Sequence, residues 1–338
     1  MNERQFDEEK EEEFKLGGRT RHVKGRGIYF RIPREERLRA ARGVPQAIVK
    51  VSSFSRGPKN LADNLRYISR SGEIVLEKDT GEIIQTLQDQ KDLIASWSID
   101  FDTRKRSRDA SNIIFSMPPG SPVESLKAAV RTTGHRAFPD HEWVFAIHTD
   151  QPHPHAHMSL KMRGNTKGKK LELRKGDLRE LRSIFAEAAR EQGIELACSS
   201  RAERGVGRKS TRQPLCHLKK KGIKPEVDKK LRQEAVQELL KNDWTKRPWD
   251  IAMEKRNALE RKAYQDESRK VQEAAFQSQN QTERDELFTA SSILQGFALK
   301  MPHAKSKRQA FKEARWREVE QKRQEKQHSK ERDNGLEL

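Results

Sequence analysis

Apolar and polar positions alternate most regularly between Trp143 and Met162, WVFAIHTDQPHPHAHMSLKM. Strand side chains alternate between the two faces of a sheet. The pattern therefore predicts two short strands joined at Asp150–Pro154 as an antiparallel hairpin. In the first strand Trp143, Phe145 and Ile147 point one way, and Val144, Ala146 and His148 the other. In the second, Ala156, Met158, Leu160 and Met162 share one face, while His155, His157, Ser159 and Lys161 share the opposite one. The apolar faces are expected to pack on helices, with His148, His155 and His157 converging on the other side.

The remaining pattern supplies the surroundings of that hairpin. Gln46–Phe54 alternates as a strand. A helix is expected from about Asn60, as N-cap, to Ser71, stopped by Gly72, with Leu61, Leu65 and Ile68 as its buried stripe. Tyr67 lies well off that stripe, on the polar side with Asp63, Asn64 and Arg70. Glu73–Ile84 reads as a hairpin turning at Asp79-Thr80-Gly81, Asp89–Trp97 as a helix and Ser111–Met117 as a strand. Ser121-Pro122-Val123-Glu124 opens a helix with a cap, a first-turn proline and a capping-box glutamate, ending near Gly134. Asp177–Gln192 is amphipathic, capped by Asp177 with Glu180 at N3, and ends at Gly193. Ile194–Ala197 is expected to add a last strand. The order implies an α+β fold with a central antiparallel sheet flanked by helices, over residues 45–209. Residues 1–44 read as a flexible charged arm with a short helix around Glu35–Arg42. Residues 210–338 read as helical and highly charged, without strand signal and with no internal repeat.

Composition narrows the partners. Of 338 residues, 33% are hydrophobic and 36% charged, and Lys plus Arg exceed Asp plus Glu by 70 to 51, a net +19. Such a balance favours a polyanion, most simply nucleic acid, because cationic side chains neutralise phosphates irrespective of sequence. The loop Gly164–Lys170, with Arg163, Lys167, Lys169 and Lys170, suits a phosphate backbone, as does the basic stretch containing Arg201 and Arg204. Cys198 and Cys216 make no disulfide framework, consistent with a reducing cytoplasm. No apolar run reaches membrane-spanning length, and the acidic start DEEKEEEF argues against a signal peptide.

A lone strand histidine is usually half-buried packing, and His153, between two prolines, reads as incidental. Three imidazoles on one polar face are different. They suit a divalent metal with an open coordination position, and Asp150 is placed to orient one of them. Imidazoles accept Mn, Zn, Co or Ni, whereas Mg prefers oxygen but is abundant. Tyr67 adds a nucleophile candidate for in-line attack on phosphorus. A free phenol ionises only near about pH 10, so attack needs help from the metal, a cation such as Arg70, or an acceptor such as Asp150.

These residues also carry a family resemblance. His148-x-Asp150-x-x-His153-Pro-His155-x-His157 resembles the metal motif of conjugative DNA relaxases, mobilisation nucleases of the HUH endonuclease superfamily. Specifically, it resembles the P-type class that includes T-DNA border endonucleases. Asn64-Leu65-Arg66-Tyr67-Ile68-Ser69-Arg70-Ser71-Gly72 resembles that family's first motif, and Phe115-Ser116-Met117-Pro118-Pro119-Gly120 the segment before its middle helix. Leu178–Gln192 and the tail Ser200-Arg201-Ala202-Glu203-Arg204-Gly205 resemble the end of its relaxase domain.

The resemblance spans about Gln46 to Lys209. It implies a five-stranded antiparallel sheet, Tyr67 as nucleophile, His148, His155 and His157 as ligands of Mg or Mn, and Asp150 as a supporting acid. Arg66, Arg70, Ser116 and Lys161 join the basic loops as candidate DNA contacts. The implied activity is site- and strand-specific nicking of single-stranded DNA at an origin of transfer, leaving the protein on the 5′ end. Accessory DNA-binding proteins and the coupling protein of a type IV secretion system are the implied partners, the last third of the chain being the part that meets them. Rival readings are a rolling-circle replication initiator, a phosphodiesterase using metal-bound water, and a non-catalytic DNA-binding scaffold with a structural zinc.

Overall fold

The computed structural model describes residues 33–334 except 103, 105, 106, 167, 169 and 207–210. Most of the expected N-terminal arm, together with Lys167 and Lys169, lies outside the described residues. Two compact units result, dividing between Cys198 and Ser199, upstream of the expected boundary at 209.

The first unit holds a six-stranded sheet. Its strands are β1 (Ile48–Ser55), β2 (Leu76–Lys78), β3 (Ile83–Ile84), β4 (Ala110–Ser116), β5 (Trp143–His148) and β6 (His155–Lys161), in the order β1-β4-β6-β5-β2-β3 with every pairing antiparallel. The antiparallel α+β architecture is as expected. The sixth strand comes from the hairpin turning at Gly81 (φ +84°), whose outer arm is only two residues long. Ile194–Ala197 is not a strand. It makes one parallel bridge, Ala197 to Gln46, because the chain has just left a helix and pairs for a single residue.

Helices cover both faces of the sheet. On one, α4 (Val123–Ala137) and α5 (Lys175–Glu191) bury Leu126, Val130, Leu181 and Phe185 against Phe115, Trp143, Phe145, Met158 and Leu160. On the other, α2 (Gly57–Ile68) and α3 (Leu87–Ser98) bury Leu61, Leu65, Ile68, Leu93 and Trp97 against Leu76, Val144 and Ala146. The histidine face is therefore only partly open. Val144 and Ala146, read as lying on a polar face, are sealed beneath α2.

Several helix ends move for local reasons. α2 begins three residues before Asn60, since Pro58 is pre-set for a first helical turn. It ends at Ile68, before a separate 3-10 turn at Arg70–Gly72. Pro122, not Ser121, holds the cap position of α4. That helix runs through Gly134 to Ala137, because Gly134 is a packing glycine and not a stop. A Cβ there would lie 2.5 Å from Trp143 Cζ2. Asp177 is the N3 residue of α5, where its carboxylate accepts the Arg174 N–H at 2.7 Å.

The helix α1 (Arg34–Ala41) lies mostly in the first unit. The regular elements of the second unit, among the described residues, are all helices: α6 (Gln213–Lys220), α7 (Glu226–Leu240), α8 (Pro248–Gln277), α9 (Gln281–Lys300) and α10 (Lys307–Asn334). These charged helices are more than a solvated array. α8 and α9 bury Tyr264, Val271, Ala275, Leu294 and Ala298. α7 and α10 are joined by ion pairs, with Glu238 receiving Arg308 and Lys312, and Asp228 receiving Lys307. No described helix is long and apolar enough to cross a membrane.

Candidate metal centre and nucleophile

The α2 stripe determines where Tyr67 sits. Leu61, Leu65 and Ile68 are at most 1% exposed, and burying each contributes about 1.5–3 kcal/mol, holding the helix on the sheet. Tyr67 lies off that stripe at 56% exposure. Its ring meets His157 edge-on, with centroids 5.7 Å apart and planes at 86°.

Pairing of β5 with β6 puts His148 directly opposite His155, and Ala146 opposite His157. The three rings converge, with centroids 4.5 to 5.3 Å apart. One nitrogen from each lies within 4.8 Å of the others, the cluster among the described residues able to hold a metal. Backbone carbonyls set two of the tautomers, because a carbonyl can only accept. His148 Nε2–H donates to Ile68 O at 2.7 Å, and His155 Nδ1–H to His153 O at 3.2 Å. Each ring keeps its other lone pair, as metal-ligating histidines usually do. His153 thus enters the site through its carbonyl, a role that no pattern of side chains signals.

Burial favours the neutral form of His148 and His157. It lowers His148 below the ordinary histidine value. It pushes His157 down to about 4, with His148, His155 and Arg70 adding repulsion. Neutral rings present lone pairs to a cation without competing protons. Donor type, convergence and orienting carbonyls all fit a divalent metal.

Next to the rings the backbone turns sharply. Arg70, Ser71 and Gly72 take φ of +52°, +60° and +99° in succession. A left-handed conformation is unusual for the first two residues, and such strain tends to cluster at functional sites. The turn directs Arg70 inward. Its Nη2 donates to Asp150 Oδ2 at 2.6 Å and lies 3.4 Å from His148 Nδ1, with Cζ 5.5 Å from the Tyr67 ring centroid. Asp150 therefore meets Arg70, and no bond to an imidazole is seen.

The other candidate DNA contacts differ in placement. Arg66 is exposed on α2, 3.8 Å from Asp63. Ser116 is half-buried on β4, opposite His155. Lys161 corrects its sequence reading. It is 4% exposed, and its ammonium is tied to Asp100, just past the end of α3, at 2.7 Å and to Glu142 at 2.8 Å, so its charge is already paired within the fold. Arg163 donates to the carbonyls of Asp100 and Gly168, and Lys170 to Ser107. Arg201 and Arg204 belong to the second unit.

Comparison with known proteins agrees with this geometry. The family described as "Relaxase: MobA/VirD2-like, nuclease domain" matches residues 67–194, which include Tyr67 and the three histidines. The chain is 29% identical over 168 residues to the T-DNA border endonuclease VirD2 of Rhizobium rhizogenes, covering 44% of this chain and 38% of that one. It is 26% identical over 194 residues to VirD2 of Agrobacterium fabrum strain C58, covering 52% of this chain and 42% of the other. It thus spans about two fifths of the length of the curated relatives it matches. Over residues 67–194 the chain is therefore similar to the nuclease domain of the MobA/VirD2-like relaxases.

Proposed function

We propose that the first unit nicks and rejoins single-stranded DNA at an origin of transfer through a tyrosyl ester. The single observation that carries this reading is the Tyr67 ring packed edge-on against His157 of the histidine cluster. Tyr67 Oη attacks phosphorus in line. The P–O3′ bond breaks, the phenolic proton leaves, and the departing oxygen becomes a free 3′-hydroxyl. The 5′ phosphate stays on Tyr67. The ester conserves the energy of the broken bond, so the strand can be resealed by the reverse attack.

His148, His155 and His157 would hold a divalent cation, Mg or Mn by family expectation, which supplies charge to the non-bridging phosphate oxygens as the transition state forms. Arg70 brings a second positive charge beside the phenol, and Asp150 orients it. The second unit, with the last third of the chain, would serve accessory proteins or the coupling protein of a type IV secretion system. In this reading the chain works in the cytoplasm and travels with the transferred strand.

The test is incubation with a labelled single-stranded oligonucleotide carrying the native origin, followed by denaturing electrophoresis and mapping of the linked residue. An adduct at Tyr67 that is lost in Tyr67→Phe is the expected result. Cleavage that persists in Tyr67→Phe without an adduct would instead establish a hydrolase using water. A chain ending near residue 210 should still nick the oligonucleotide, and failure would place part of the nuclease beyond that point.

A further inference from the structure

Strand register extends the floor of the site beyond the histidine hairpin. His157 stands opposite Ile114 of β4, and Ile114 stands opposite Lys50 of β1. In the next row His155 stands opposite Ser116, and Ser116 opposite Ile48. Opposed residues in an antiparallel sheet share a face. Lys50 and Ile48 therefore look out from the same side as the imidazoles, two strand spacings or about 10 Å away.

Cover falls away along both rows. Ala146 and His148 are buried at the inner end, beneath α2. Ile114 and Ser116 are half-buried, while Lys50 and Ile48 are exposed, Ile48 to 40%. The opposite face of the same strand is closed, with Val49 at 4%. A lysine on an edge strand is also an ordinary guard against edge-to-edge pairing. That role does not explain an exposed isoleucine two residues away, nor a half-open one beside it on β4.

We propose, building on the nuclease reading of Tyr67, that single-stranded DNA flanking the reacting phosphate crosses β4 onto β1. Lys50 Nζ contacts a backbone phosphate, and Ile48 and Ile114 form the apolar floor on which a base lies. Charge and continuity select this occupant. The floor begins at the candidate reaction centre, carries a cation one phosphate can match, and offers apolar surface of the kind that supports unpaired bases. The sequence alternation of β1 did not single out Lys50 or Ile48.

The test is fluorescence anisotropy of the full chain with dye-labelled oligothymidylate across a series of KCl concentrations. Lys50→Gln should make the slope of log affinity against log salt shallower by about 0.7, the share of one single-strand phosphate contact. Ile48→Ser should weaken binding about fivefold at every salt, without changing that slope. Lys91→Gln, an exposed lysine on α3, should leave the slope as it was. An unchanged slope in Lys50→Gln overturns the proposal, as does an equal change in Lys91→Gln, which would mean a diffuse field with no local contact. Binding is read here without cleavage, so the two readings fail separately. Loss of slope in a chain that never forms an adduct would refute the nuclease reading alone, and adduct formation with an unchanged slope would refute the strand path alone.

Discussion

Arg70 and Asp150 meet across eighty residues of sequence, Nη2 to Oδ2 at 2.6 Å. The pair is half exposed, so its worth to folding is small. Its position matters more, since the same guanidinium faces the Tyr67 ring and His148. Arg70→Ala should slow formation of the covalent adduct about a hundredfold, the usual cost of one preorganised donor at developing charge. Oligonucleotide affinity should fall by less than tenfold. Arg70→Lys should recover only part of the rate, because an ammonium cannot reproduce the planar fork. Single-turnover gel assays measure both effects, and an unchanged rate in Arg70→Ala would reduce the residue to a structural tie.

His155→Ala and His157→Ala should each abolish nicking while leaving most DNA affinity in place. Titration calorimetry with Mn should show the binding isotherm weakened by more than the roughly 10–100-fold typical of losing an orienting partner. Collapse of DNA binding with unchanged cleavage per bound complex would contradict their assignment as ligands.

Gly134→Ala tests the packing that supports the histidine hairpin from behind. The added methyl meets the buried Trp143 indole at a distance no real contact adopts. Destabilisation by about 1–3 kcal/mol is expected from overpacking, seen as a lower urea midpoint. A stability equal to or above the parent would show that the indole moves aside freely.

Arg308→Ala tests the second unit. Arg308 is 4% exposed and bonds both Glu238 and the fully buried Asp250. Removing it leaves the buried Asp250 carboxylate without a cationic partner, while Glu238 keeps Lys312 and Arg247, at a cost of about 3–5 kcal/mol. Arg308→Met should do no better, since an apolar side chain leaves the same buried Asp250 charge unpaired. Denaturation followed by tryptophan fluorescence, with Trp244 and Trp316 edge-on in this unit, reports the loss. An unaffected transition would mean that water already reaches these groups.

Local pattern determined a good deal about this protein. The period of two through Trp143–Met162 set the hairpin and the shared face of His155 and His157, because side-chain direction in a strand follows from covalent geometry alone. The Leu61, Leu65 and Ile68 stripe likewise determined which side of α2 is buried, and so which side is left for Tyr67. The motifs around Tyr67 and the histidines were legible because each lies within one short, continuous stretch of chain.

Only the tertiary structure decided what depends on residues distant in sequence. Whether Lys161 stood free or met a carboxylate pair rested on Asp100 and Glu142, each on a connection distant from β6, converging on it. Gly134 was a packing site and not a terminator because Trp143 came to lie against it. Arg70 reached Asp150 through a left-handed turn that no periodicity encodes, and Lys50 came onto the histidine face through its pairing with β4, a strand some sixty residues away. Burial and charge pairing are properties of neighbours, and the neighbours are chosen when the sheet and its two helical layers close.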